Sequence, residues 1–182
     1  MNSDRRNFIK TSAIATAAIS TFPTIMNACA SPAERVGVGL IGCRSQGFSN
    51  LRSFINDAKN NTDCVALCDV DSNILEERAA EVEKMTGKRP SVHSDFRELL
   101  DNPDIDAVII GTPDHWHAVM MMLALEAGKH VYVEKPMGHS IEECNAMVAA
   151  AAKYPELVVQ VGMWQRSSKH WFEASDIVKS GQ

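Results

Sequence analysis

From residue 36 onward the chain alternates between two kinds of hydrophobic pattern. One is a short unbroken apolar run, which reads as a buried strand; the other spaces apolar residues three or four apart, which reads as the inner face of a helix. Residues 35–42, RVGVGLIG, are the first run. Residues 46–58 then carry Phe48, Leu51, Phe54 and Ile55 on one face and predict a helix. Residues 64–69, CVALCD, predict a second strand. Asp71 is placed to cap a helix that runs to about Met85 and is ended by Gly87. A short third strand at 91–94, a short helix at 95–100 and a fourth strand at 106–112, DAVIIGT, come next. Residues 115–127 predict an apolar helix stopped by Gly128. A fifth strand is expected at 130–134, HVYVE, and a sixth at 157–162, LVVQVG. Between them, 141–153 predicts a helix with Ser140 at its N-cap and Glu142 and Glu143 in the first turn, where the helix dipole favours negative charge.

Strands alternating with helices predict the α/β class, with a parallel sheet and right-handed crossovers. Six strands joined this way fit the doubly wound order 3-2-1-4-5-6. In that order the switch point lies between the first and fourth strands, and ligands bind outside the carboxyl ends there. Three loops then converge on one crevice: GCRSQG after the first strand, GTPDHWH after the fourth and EKPMGHS after the fifth.

The first loop has the spacing of a dinucleotide fingerprint. Gly42 is placed for the tight turn and Gly47 for close helix–sheet packing, so that the helix N-terminus faces a pyrophosphate. Cys43 and Arg44 complete the turn, and Arg44 stands where the middle glycine would be. Its guanidinium either points away from the phosphates or contacts them. Asp69 ends the second strand 22 residues after Gly47, where a carboxylate can bind ribose hydroxyls and repel a 2′-phosphate. NAD is therefore favoured over NADP, with Arg44 a counter-argument. Asp114, His115 and His117 form a D-H-x-H cluster with no further ligand in sequence, so lining of a cofactor or capping of a helix is favoured over a metal.

Composition narrows the field of partners. The formal net charge is −5 with no Lys/Arg block, which disfavours nucleic acid. The five cysteines are an odd number without zinc spacing and read as small buried hydrophobes. The Met-rich stretch 120–122 reads as core packing. Residues 1–30 differ from the rest. Arg5-Arg6 precedes Phe8, Ile9, Lys10 and a weakly apolar Ala/Thr/Ile run, the form of a twin-arginine export signal. It implies export to the periplasm through the twin-arginine machinery, with cleavage after Ala30 or, alternatively, lipid anchoring at Cys29.

The segments GLIGC, CDVD, AGKHVYVEKP (127–136) and VGMWQRSSKHWF resemble the N-terminal half of the glucose–fructose oxidoreductase/inositol dehydrogenase/MocA family. The resemblance implies a Rossmann domain at 34–163. It implies that Lys135, in the Glu134-Lys135-Pro136 motif, contacts the nicotinamide ribose and the reacting substrate hydroxyl as the catalytic residue. Pro136 would fix the turn that presents it and is a candidate for a cis peptide bond. Thr112, Pro113, Asp114 and His117 would border the cofactor, Glu134 would sit at the mouth of the cleft, and Gln165 and Arg166 would face the nicotinamide side. The implied activity is hydride transfer between NAD(P) and a sugar or polyol-like alcohol. A glycoside-cleaving branch of the same fold keeps NAD bound and diverges at the motif lysine, which this sequence retains. A non-catalytic dinucleotide-binding remnant is the third reading. The family has a second domain that supplies substrate specificity; residues 164–182 are expected to lead into it, and the sequence is expected to be a truncated member. Oligomeric state is not readable from the sequence, and a homo-oligomer is left open.

Overall fold

The computed structural model describes residues 35–57 and 61–181. The expected signal segment, with Arg5, Arg6 and Cys29, and the start of the expected nucleotide domain at residue 34 lie outside them. Six parallel strands form one sheet in the order β3-β2-β1-β4-β5-β6. They are β1 (Val36–Ile41), β2 (Thr62–Cys68), β3 (Ser91–His93), β4 (Ala107–Ile110), β5 (His130–Val133) and β6 (Val159–Val161). The helices are α1 (Ser45–Asp57), α2 (Ser72–Thr86), α3 (Phe96–Leu100), α4 (His117–Glu126), α5 (Ile141–Lys153) and α6 (Lys169–Ser180). The predicted order is thus the observed one.

Period-two alternation along the strands divides the core into two layers. Val38, Leu40, Leu67 and Ile109 pack with Phe48 and Leu51 of α1 and Leu75, Ala79 and Val82 of α2. Ile41, Val108, Ile110, Val131 and Val133 face the other way, onto α3, α4 and Met147 of α5. Leu51 has no exposed surface; burying one such side chain stabilises a fold by about 1.5–3 kcal/mol. Helix α4 is apolar over most of its surface and packs against β4, β5 and α5, with Val119 on its open side. The methionines 120 and 121 are core residues, as expected.

The capping reading holds in detail. Asp71 accepts from Asn73 N and Ile74 N at the start of α2, and Gly87 ends it at φ 75°. Ser140 and Glu143 form a reciprocal capping box at the start of α5. Several strand ends shift by one or two residues, and one helix start changes type. The expected helix 115–127 begins as a 3-10 turn over Asp114–Trp116, and α4 proper starts at His117. The reason is tertiary, since the His117 ring is drawn inward between two loops. Cys43, Cys64 and Cys68 are buried. Desolvation first, then the carboxylates of Asp63 beside Cys64 and Asp69 beside Cys68, push the latter two thiols up to about 12.

Candidate dinucleotide-binding and active site

The carboxyl edge of the sheet ends in one register. Ile41 pairs with Cys68 and Ile110, Ile110 with Val133, and Val133 with Val161. The following residues extend the ladder by one more bond each: Gly42 N donates to Cys68 O at 2.8 Å, Gly111 N to Ile41 O at 2.8 Å, Glu134 N to Ile110 O at 2.9 Å and Gly162 N to Val133 O at 2.8 Å. Asp69, Gly42, Gly111, Glu134 and Gly162 therefore stand in a row along the rim, and the loops that carry chemistry start from it.

At the switch point the backbones of two loops meet. Gly42 has φ +88°, and a Cβ there would lie 2.7 Å from Gly111 C and Thr112 N. A Cβ on Gly47 would lie 2.2 Å from Gly42 O, and one on Gly111 2.4 Å from Gly47 Cα. None of these neighbours is a flexible side-chain end, so only glycine fits, and the N-terminus of α1 is pulled down onto the ends of β1 and β4. Gly42 thus makes a tight turn and Gly47 a close contact between α1 and the strand ends. Gly111 was missed; the signal was a glycine directly after an apolar strand, in the loop that meets the fingerprint.

A cavity of about 680 Å³ opens beside this glycine cluster, lined among others by Gly42, Arg44, Asp69, Thr112 and Pro113. Ser94, Asp95, Phe96, Arg97 and Trp116, which the sequence did not single out as site residues, form its far wall with Met120, read from the sequence as core. Asp69 accepts from Cys43 N at 2.8 Å and from Asp71 N at 3.0 Å, one bond on each carboxylate oxygen. Each oxygen keeps a second lone pair for a hydroxyl donor. Arg44 is paired with Asp71 rather than turned over the loop. Asp71 is held below the usual carboxylate range by its bonds from Asn73 N and Ile74 N first and by Arg44 last. Arg97 is paired with Asp95, so each cationic side chain on this wall already has its own carboxylate. The Cys43 thiol points into the core, donating to Cys68 O at 3.4 Å.

The other half of the site is built on β4 and β5. His117 is 1% exposed, with Nδ1 2.8 Å from Pro136 O and Nε2 2.9 Å from Thr112 O. Both ring nitrogens face backbone, so this side chain joins the two loops instead of reaching outward. The Lys135–Pro136 peptide bond is cis. Lys135 is exposed and its ammonium has no partner among the described residues. Glu134 is 5% exposed and turned away from it, as strand alternation predicts. Asp114 pairs with His139 at 3.3 Å, and that bond is the main cause of its lowered pKa. Gln165 and Arg166 are exposed in a 3-10 turn after β6, where Gln165 Oε1 accepts from Trp171 Nε1 at 2.6 Å. Among the described residues no group of three His, Cys, Asp or Glu side chains could hold a metal. The second lysine of the AGKHVYVEKP stretch, Lys129, is buried and donates to Asn102 O and Ile105 O at 2.9 and 2.8 Å. It fixes the loop before β4, a structural use that the sequence reading had not assigned.

Residues 36–163 match the model of the oxidoreductase family with an NAD-binding Rossmann fold, the glucose–fructose oxidoreductase/inositol dehydrogenase/MocA family. The chain belongs to this family. Its relatives include a glycosyl hydrolase family 109 protein of Shewanella baltica, 34% identical over 174 residues, covering 84% of this chain and 38% of that protein. Similar solved structures in the family include a myo-inositol 2-dehydrogenase from Lactobacillus plantarum, at 27% identity and a TM-score of 0.71, covering 81% of this chain and 42% of that one. A scyllo-inositol dehydrogenase from Lactobacillus casei with bound NAD(H) and scyllo-inositol is similar at 26% identity and a TM-score of 0.71, with the same coverage of 81% and 42%. The chain thus spans about two fifths of the length of the family members it matches.

Proposed function

We propose that the full-length protein is an NAD-dependent oxidoreductase acting on a sugar or polyol-like alcohol. The observation that carries the reading is the exposed ammonium of Lys135, in the loop that leaves β5 at the same sheet edge as the glycine cluster. Bound NAD would supply the hydride acceptor. Gly42, Gly47 and Gly111 leave room for its pyrophosphate at the N-terminus of α1, and Asp69 offers free lone pairs to ribose hydroxyls. With NAD bound to accept hydride from the substrate carbon, the neutral amine form of Lys135 would take the hydroxyl proton and pass it on to solvent, so that alcohol and NAD⁺ give ketone, NADH and a proton. NAD is preferred to NADP because Asp69 would repel a 2′-phosphate and both arginines on that wall are already paired.

One observation favours a second reading: the relative from Shewanella baltica is a glycosyl hydrolase family 109 protein. In that case NAD would stay bound and the product would be a cleaved glycoside. Incubating the full-length protein with inositols and with glycosides decides between them. Accumulating NADH with an inositol is the expected result; sugar release without net NADH would establish the glycosidase.

Export through the twin-arginine route belongs to the same proposal and rests on Arg5-Arg6 and the weakly apolar run behind it. Replacing both by lysine should retain the protein in the cytoplasm. Undiminished periplasmic delivery would remove the assignment, and Cys29-dependent palmitate incorporation would replace cleavage with lipid anchoring.

A further inference from the structure

Glu134 raises a question that the cleft alone does not answer. It is a carboxylate with 5% of its surface exposed, and no cation pairs with it among the described residues. A buried charge is costly unless hydrogen bonds compensate it. Two do. Asn50 Nδ2 donates to Glu134 Oε1 at 2.7 Å, and the backbone N–H of Lys135 donates to Glu134 Oε2 at 3.0 Å. Asn50 in turn accepts at Oδ1 from Gln46 Nε2 at 3.0 Å. An ionised carboxylate only accepts, so Asn50 must turn its NH₂ toward Glu134 and its carbonyl toward Gln46. The direction of every bond is thereby fixed. The run begins at Gln46, in the first turn of α1, and ends on the main chain of Lys135.

The surroundings hold this arrangement in place. A Cβ on Gly162 would lie 2.9 Å from Glu134 Oε1 and 2.9 Å from Tyr132 Oη, so the carboxylate is walled in on that side. The Tyr132 phenol is pushed up by burial first and by the Glu134 charge second. Beyond Lys135, the His117 ring bonds Pro136 O at 2.8 Å. The N–H of Lys135 and the carbonyl of Pro136 are therefore each held by a buried side chain, while the Lys135 ammonium has no partner among the described residues.

We propose that Gln46, Asn50 and Glu134 are positioning residues: a hydrogen-bonded relay that sets the backbone of Lys135 in register with the dinucleotide loop. The proposal rests on the reading of Lys135 as the acid–base group, and its test is separable from that reading. The backbone amide of Lys135 can be followed by NMR in lysine-¹⁵N-labelled protein, assigned by its loss in Lys135→Arg. In Asn50→Ala, a half-buried site where truncation leaves the core intact, this amide should exchange with solvent about tenfold faster or more, with NAD affinity within about threefold. Glu134→Ala should do the same, whereas Glu134→Gln, whose carbonyl oxygen still accepts from Lys135 N, should restore slow exchange. In the full-length enzyme Asn50→Ala should lower kcat about tenfold at unchanged KM for NAD. Wild-type exchange rates in both Asn50→Ala and Glu134→Ala would overturn the relay. A wild-type protein that oxidises no polyol would instead overturn the functional reading, and the exchange rates would still decide the relay.

Discussion

On the β1 side of the cleft, Gly42, Gly47 and Gly111 bring three stretches of backbone so close that no side chain fits between them. On the β5 side the backbone is held by side chains: Glu134 binds the N–H of Lys135, and His117 bonds the carbonyl of Pro136. The first wall is shaped by what is missing and the second by what is present. In the proposed function the first would admit a ligand to main-chain N–H groups at a helix end. In the proposed reaction the second would hold one lysine amino group at a fixed place.

The largest contrast should appear when each wall loses its own device. Lys135→Ala in the full-length enzyme is expected to cut turnover by a factor of about 10²–10⁴ while leaving NAD affinity within about tenfold. Thermal unfolding should be nearly unchanged, because the side chain is exposed. Steady-state kinetics with near-normal turnover would make Lys135 a surface residue and dissolve the distinction between the walls.

Gly47→Ala should do the reverse. Its Cβ meets the Gly42 carbonyl at 2.2 Å, so backbone has to move. A loss of about 1–3 kcal/mol in denaturant unfolding is expected. NAD binding should weaken along with it, because the displaced loop is the one proposed to face the pyrophosphate. Calorimetry showing full NAD affinity in a destabilised variant would mean that the glycine cluster serves packing alone.

The smallest effect belongs to Asp69→Ser. Each charge-assisted hydrogen bond to a ribose hydroxyl is worth roughly 1.5–3 kcal/mol, so the preference for NAD over NADP should shrink about tenfold. Asp69 also accepts from Cys43 N and Asp71 N, and serine can replace only part of that. A modest loss of stability should therefore accompany the change in preference. Tighter binding of NADP by the unsubstituted protein would show that Arg97 or Arg44 leaves its carboxylate for a phosphate.

Element order was legible because each strand is an apolar run and each helix carries periodic contacts or a cap. Asp71, Gly87 and the Ser140–Glu143 box punctuate the chain through bonds to residues within four positions. Gly42, Gly47, Asp69 and Lys135 were legible for a related reason: each directly follows or sits just beyond a strand, so the switch-point rule places it. The far wall of the cavity was not. Ser94 comes from the loop after β3, Phe96 from the start of α3, Trp116 from the 3-10 turn before α4 and Met120 from α4 itself. Nothing in their local pattern distinguishes them from capping or core residues.

The chain's own order of residues determined the sheet, the caps and the loop from which Lys135 projects, because those depend on periodicity and on contacts a few positions apart. Tertiary structure alone decided how the site residues are used. Gly111 matters through Gly47, 64 positions earlier in the chain. Glu134 turns inward to Asn50 across a separation of 84 residues, and His117 spends both nitrogens on loops that flank it in space. A carboxylate or an imidazole can equally face solvent or backbone, and only the position of a distant donor or carbonyl, fixed when the sheet assembles, selects between them.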